Sequence, residues 1–309
     1  FEEFPFYLQS DYSEYKVFPG DFMRSGLKRG LSLEQQFGQN PYQFGVIGST
    51  DAHTGLASAE EDNFWGKMAY DSTPENKTGG AVGGTRSTGW DMSASGLAAV
   101  WATENTRRGI FDAMRRRETY ATTGPRITLR LFAGWEFDAA DADAPDLAEV
   151  GYAGGVPMGG ELPGSARQGD RIRLLIRAMK DPKGANLDRI QVIKGWLDDS
   201  GKNREQVFDV AWSGNRQRRL DGTLPMAGNT VNAADGTYSN SIGAAQLATV
   251  WEDPQFDPGQ AAFYYVRVLQ IPTPRHSLLD SIAMDIDPPG NYPAVIQERA
   301  YSSPIWYQP

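Results

Sequence analysis

Between residues 127 and 309 apolar and polar positions alternate in short runs: Ile127-Thr128-Leu129-Arg130-Leu131, then residues 172–177, 190–193 and 263–269. A period of two sends successive side chains to opposite faces, so each run predicts a strand with one face toward a core. Glycine and Asp-Pro turns separate the runs without an intervening helical pattern, which predicts an antiparallel sandwich. Ile305-Trp306-Tyr307 predicts either a last edge strand or a strap across the core.

The first 126 residues carry a different pattern. Residues 19–37 predict a helix: Asp21 is placed to cap it, Phe22, Met23, Leu27, Leu31 and Leu33 form its apolar stripe, and Gly38 stops it. After Asn40-Pro41, the run Phe44-Gly45-Val46-Ile47-Gly48-Ser49-Thr50 predicts a short buried strand, so helix and strand together suggest an α/β unit. Residues 97–101 predict another strand, and residues 103–117 a helix with Ile110, Phe111 and Met114 on one face. Its basic end, Arg115-Arg116-Arg117, complements the carboxyl-terminal helix dipole. Gly124-Pro125 marks the turn into the alternating half, which divides the chain into an α/β part, residues 1–126, and an all-β part, residues 127–309.

The chain has 309 residues, 40% hydrophobic and 22% charged, enough for two globular domains. No apolar run approaches the roughly 20 residues of a membrane span. A net charge of −9 argues against nucleic acid as the main partner and favours small molecules. The absence of cysteine removes disulfides, thiolate metal sites and a cysteine nucleophile, and leaves the compartment open. Phe1 opens the chain with neither a methionine nor a signal-peptide pattern, so the sequence reads as a fragment, a processed chain or a truncation.

The candidate chemistry centres on Asp51-Ala52-His53, at the end of the 44–50 run. In an extended backbone residues two apart project to the same side, so carboxylate and imidazole are placed to reach one metal, or else form a hydrogen-bonded structural pair. The other histidine, His276, lies in a proline-bounded loop and reads as a surface or packing residue. The long loop after Gly55 opens with Glu60-Glu61-Asp62, either outer-shell carboxylates and a general base or a solvated acidic loop capping a helix. Phe64 and Trp65 are pocket-wall or core aromatics; Arg126 is a substrate-anion contact or a structural salt bridge. The glycine-rich residues 79–84 lack the Lys-Ser/Thr of a phosphate loop and read as a linker or lid.

Several stretches together resemble a bacterial family, domain of unknown function 3604, linked to the PHP (polymerase and histidinol phosphatase) metallohydrolases. They are residues 45–53, 60–67, 95–101, 120–126 and 297–307, in order along the chain. The resemblance implies the carboxyl-terminal part of a PHP-type (β/α) barrel followed by an antiparallel β-sandwich. It also implies divalent metals (Mn, Fe or Zn) held at strand ends, with the family's Asp-x-His motif falling on Asp51 and His53. Such metals activate water for ester hydrolysis, and an anionic phosphate ester is the substrate class the family suggests, with other esters or carbamates open. On this reading Glu60, Glu61 and Asp62 are catalytic candidates, and Arg126 and Trp65 bind substrate. The His-x-His motif that opens full-length relatives has no counterpart here, so the chain is expected to be the carboxyl-terminal half of a larger protein. Its missing amino-terminal half would be its partner, and a periplasmic or secreted location is expected. The alternative is a non-catalytic glycan- or protein-binding module, for which eight tryptophans and thirteen tyrosines supply aromatic surfaces.

Overall fold

The structure, a computed structural model, describes residues 18–55, 60–79, 88–94, 96–164, 169–288, 290 and 292–309. Helix α1 spans Met23–Phe37, behind a 3-10 turn at Pro19–Asp21. The Asp21 carboxylate caps that turn, accepting the Phe18 N–H at 2.8 Å. Gly38 ends α1 at φ 74°, donating to the Glu34 carbonyl at 2.7 Å. This left-handed cap favours glycine, which has no Cβ to clash there. Leu27 and Leu31 are buried, whereas Phe22, Met23 and Phe37 stay exposed.

The short helix α2 covers Pro74–Gly79, and strand β1 (Leu97–Val100) leads to helix α3 (Arg107–Arg115) and strand β2 (Thr119–Thr122). The Thr106 hydroxyl accepts the Gly109 N–H and caps α3, so the helix starts later than its sequence pattern suggests. Its expected apolar stripe also points outward: Phe111 and Met114 are exposed and Ala113 is buried. Then come β3 (Thr128–Gly134), α4 (Leu147–Gly154), β4 (Gly155–Pro157), β5 (Glu161–Leu162) and β6 (Arg173–Met179). The long strands β7 (Leu187–Leu197), β8 (Asn203–Trp212), β9 (Gln246–Glu252) and β10 (Ala262–Gln270) follow. The chain closes with β11 (Thr273–Pro274), α5 (His276–Met284), β12 (Val295–Ile296), β13 (Arg299–Ser302) and β14 (Ile305–Tyr307).

Among the described residues two large sheets form. One has the order β4-β3-β6-β9 and is antiparallel throughout. The other runs β1-β2-β13-β10-β14-β5, with β7 pairing β10 on its other edge and β8 beyond it. Leu129, Leu131, Leu174 and Ile176 of the first sheet share a core with Ile190, Val192, Tyr264, Val266 and Val268 of the second. The alternation read from the sequence thus forms a β-rich, largely antiparallel pair of packed sheets. β14 is not at an edge: it lies between β10 and β5, and Trp306 is fully buried. β13 and β14 form one run along β10 whose register slips by one residue at Ser303-Pro304, where proline has no N–H to give the ladder.

Strand pairing crosses residue 126, since β2 pairs with β13, Thr122 opposite Ala300. Before β1 the described residues hold helices and turns without a strand, and no closed barrel forms among them. The 44–50 run is therefore not a ladder strand. It lies against the β1–β2 hairpin by close backbone approach: a Cβ on Gly48 would stand 2.7 Å from the Thr122 carbonyl oxygen and 2.8 Å from that of Leu97. The buried Val46 N–H donates to Ser303 Oγ at 2.9 Å, and that hydroxyl donates to the Thr119 carbonyl at 2.7 Å. Gly96 N–H donates to the Ser49 carbonyl at 2.8 Å.

Ser303→Ala should therefore orphan the Val46 N–H and cost about 1–3 kcal/mol in urea unfolding. Hydrogen exchange at Val46 should accelerate with it; unchanged exchange there would remove the hydroxyl as the anchor of this segment.

Candidate functional site

A half-open cleft of about 380 Å³ lies where the 44–50 segment ends, between the β1–β2 hairpin, the 92–94 segment and β13. Asp51, Lys67, Ser49, Ser93, Thr123 and Tyr301 supply its polar lining. Asp51 sits at φ 50°, in the left-handed region that Asp tolerates better than most residues. The chain turns there, so the expected same-side projection of Asp51 and His53 from an extended backbone does not arise. Instead the Asp51 carbonyl accepts from His53 Nδ1 at 3.0 Å. A carbonyl only accepts, so Nδ1 donates in this bond. Both residues are exposed.

Lys67 is the residue that sequence reasoning missed. It is 7% exposed, and its Nζ donates to the Thr50 carbonyl at 2.6 Å while its own carbonyl accepts the His53 N–H at 2.7 Å. The lysine thus brackets the Asp51–His53 turn from both sides. Burial pushes its pKa down, and the Asp51 and Asp71 carboxylates push back. Gly66, at φ 73°, makes the placement possible, because a Cβ there would meet the Asp71 backbone and lie 2.6 Å from its Oδ1. The buried Asp71 carboxylate accepts the Met68 N–H at 2.7 Å and the Lys67 N–H at 3.3 Å. A single lysine behind Phe64-Trp65-Gly66 was the only sequence signal, and nothing in its spacing relates it to Asp51.

Of the expected site residues only Asp51 lines the cleft; His53 and the others lie outside its lining. Glu60 accepts from Arg126 Nη1 at 3.1 Å in a solvent-facing ion pair, and Arg126 N–H donates to Asp181. Glu61 accepts the His276 N–H at 2.7 Å, placing its charge at the positive end of α5. Asp62 is exposed, and Trp65, 47% exposed, donates from Nε1 to Asn63 at 2.6 Å. Two of the alternatives held at the sequence level are thus the observed contacts: a salt bridge at Arg126 and a helix cap at Glu61.

His276 is a packing histidine. It is fully buried, 4.5 Å from the Phe64 ring between centroids, and its Nε2 donates to the Met92 carbonyl at 2.8 Å. Beside it Lys77 Nζ and Asp280 form a buried pair at 2.8 Å; Trp90 Nε1 adds a bond to Asp280 and Lys77 another to the Phe64 carbonyl, each at 2.8 Å. Arg275 donates to the Trp90 and Met92 carbonyls. Together these charges hold the 60–79 and 88–94 segments on α5 and so set the Met92–Ala94 wall of the cleft. Although burial pushes the Asp280 carboxyl up, the hydrogen bonds from Lys77 and Trp90 and the Lys77 charge hold it below its ordinary value of 3.8. The glycine-rich 79–84 segment falls, after Gly79, outside the described residues.

Among the described residues no group of three His, Asp or Glu side chains is placed to hold a metal. Asp51 and His53 are two donors on one turn, fewer than the roughly three protein ligands of a hydrolytic site. The Lys67 ammonium already offsets the Asp51 charge. The described residues alone therefore do not fit a complete metal centre.

Fold and site define a β-rich protein of two packed sheets, with a cleft at the hairpin edge of the larger one. The chain belongs to the family described as Protein of unknown function (DUF3604), which it matches over residues 1–309. No curated protein and no solved structure matches it.

Lys77→Met should destabilise the fold by about 3–5 kcal/mol, because it leaves the Asp280 carboxylate buried without its cation. Adding Asp280→Leu should recover much of the loss, and a double-mutant cycle in denaturant reads the coupling. Because folding lowers the Asp280 pKa, its contribution is present above the ordinary carboxylate range and fades as pH falls through the folded value. Asp280→Asn should flatten the acid limb of the stability profile below about pH 4, and an unchanged limb would show that other carboxylates carry it.

Proposed function

We propose that this chain supplies one wall of a PHP-like metal-dependent hydrolase site for a small anionic ester. The observation that carries the reading is a cleft lined by Asp51 and the buried Lys67, with His53 exposed two residues along the same turn. In this reading Asp51 and His53 supply only part of the donor set of a PHP-type site. The His53 imidazole and the Asp51 carboxylate are this chain's share of the donors.

The residues in hand have definite work within that site. Lys67 presents a fixed positive charge to an anionic group, in surroundings where desolvation strengthens the attraction. The Ser93 hydroxyl and the Tyr301 phenol line the same cleft and offer hydrogen bonds to ester oxygens.

The test is metal content and turnover of an aryl phosphate with Mn, Fe or Zn, measured on the longest natural form of the protein. Asp51→Ala and His53→Ala should each lower metal content and reduce kcat/KM by about tenfold or more, with melting temperatures nearly unchanged because both side chains are exposed. Lys67→Met should raise KM. Full activity in both ligand variants would sink the reading. Tight ligand binding without metal dependence or turnover would identify a non-catalytic module instead.

A further inference from the structure

On the outer face of the larger sheet one row of facing residues crosses five strands. Ala121 of β2 faces Tyr301 of β13, Tyr301 faces Arg267 of β10, Arg267 faces Gln191 of β7, and Gln191 faces Asp209 of β8. Arg299, two residues before Tyr301 on β13, shares that face and stands diagonally to Arg267. Two guanidiniums therefore flank the hydroxyl of Tyr301, and both Tyr301 and Ala121 also line the cleft.

Neither guanidinium is matched by an acid. Among the described residues Arg267 and Arg299 form no ion pair, although Arg24, Arg189 and Arg218 on the same side of the sheet each have one with Glu205 or Asp209. Arg267 Nε donates to the neutral Gln191 side chain at 2.8 Å, and Gln191 passes the bond on to Asp209 at 2.8 Å. Arg299 Nη1 makes a long bond of 3.4 Å to the Tyr301 hydroxyl, and its Nε is buried without a hydrogen-bond partner. Burial lowers the Arg267 pKa; Tyr301 works against this and the like charge of Arg299 adds to it. Two half-buried, adjacent cations without a carboxylate form a costly arrangement that an incoming anion would relieve.

We propose that Arg267 and Arg299, with the Tyr301 hydroxyl between them, form an oxyanion subsite that extends the cleft and takes a phosphate-class group of the ligand. Guanidinium forks match phosphate oxygens in paired hydrogen bonds, which a lysine in the same place would not reproduce. Tyr301 joins the subsite to the cleft, so one ligand spanning both would place its second anionic or ester group near Lys67. That spanning ligand rests on the cleft reading above; the anion contact itself rests on the arginine pair alone.

The test is calorimetric titration of the full chain with inorganic phosphate at constant ionic strength, alongside Arg267→Gln, Arg299→Gln, Arg299→Lys and Lys67→Met. Each Arg→Gln change should weaken phosphate binding by about tenfold or more. Arg299→Lys should retain only part of the affinity, and the arginine dependence should persist in the Lys67→Met background. Circular dichroism and melting curves establish that each variant is folded, and Arg299→Lys, which keeps the cation, stands in if a glutamine variant is not. The proposal is overturned if the parent chain binds no phosphate, or if folded arginine variants bind it as well as the parent does. Binding lost only in Lys67→Met would overturn the subsite while supporting the cleft. Arginine-dependent binding in a protein whose ester turnover ignores Asp51, His53 and Lys67 would keep the subsite and remove the cleft reading.

Discussion

Everything in this molecule hangs from β10, a strand paired along both edges and covered on both faces. β7 runs the length of one edge and β13 and β14 share the other. Tyr264, Val266 and Val268 face the core between the sheets, while Phe263 and Tyr265 face Leu27 and Leu31 of α1. A strand in that position has ladder partners on both edges and apolar contacts on both faces, so it cannot shift register without losing both. Its own polar groups are settled at the same time: the Tyr264 hydroxyl and Lys194 Nζ both bond the fully buried Asp253 carboxylate, at 2.7 and 2.6 Å.

The cleft inherits its position from that strand by a chain of contacts. β13 pairs with β10, β2 with β13, β1 with β2, and the 44–50 segment then lies on the hairpin through glycine contacts and the Ser303 hydroxyl. Only one side of the cleft is built this way. The opposite wall combines a small apolar cluster of Phe64, Met92 and Ala94 with charge, since Arg275, His276, Lys77 and Asp280 bind these segments onto α5. Such a wall is specific in geometry and costly to break, because every member is desolvated.

The same sheet gives the two cationic features distinct characters. Lys67 is held at the cleft by its bond to the Thr50 carbonyl and its proximity to carboxylates. Arg267 and Arg299 are held by strand register, on a face where neighbouring arginines have acids and these two have none. Register is rigid, so the geometry of that pair is set before any ligand arrives.

The sequence by itself marked β3, β6, β10, β14 and the middle of β7 in the second half, and the helix over α1, because a period of two or of 3.6 is a local property that burial of one face enforces. It also marked Asp51 and His53 as neighbours, and Gly38 and Gly124-Pro125 as stops and turns. Only the tertiary structure decided that the 44–50 run leaves the ladder, since glycine approach and a hydroxyl from residue 303 replace backbone pairing there. It alone placed Lys67 against Thr50, Glu61 on α5 and Trp306 inside the sheet. It alone set Arg267 beside Tyr301 and Arg299. Those contacts join residues far apart in the chain, and no local period records which strand will lie beside which.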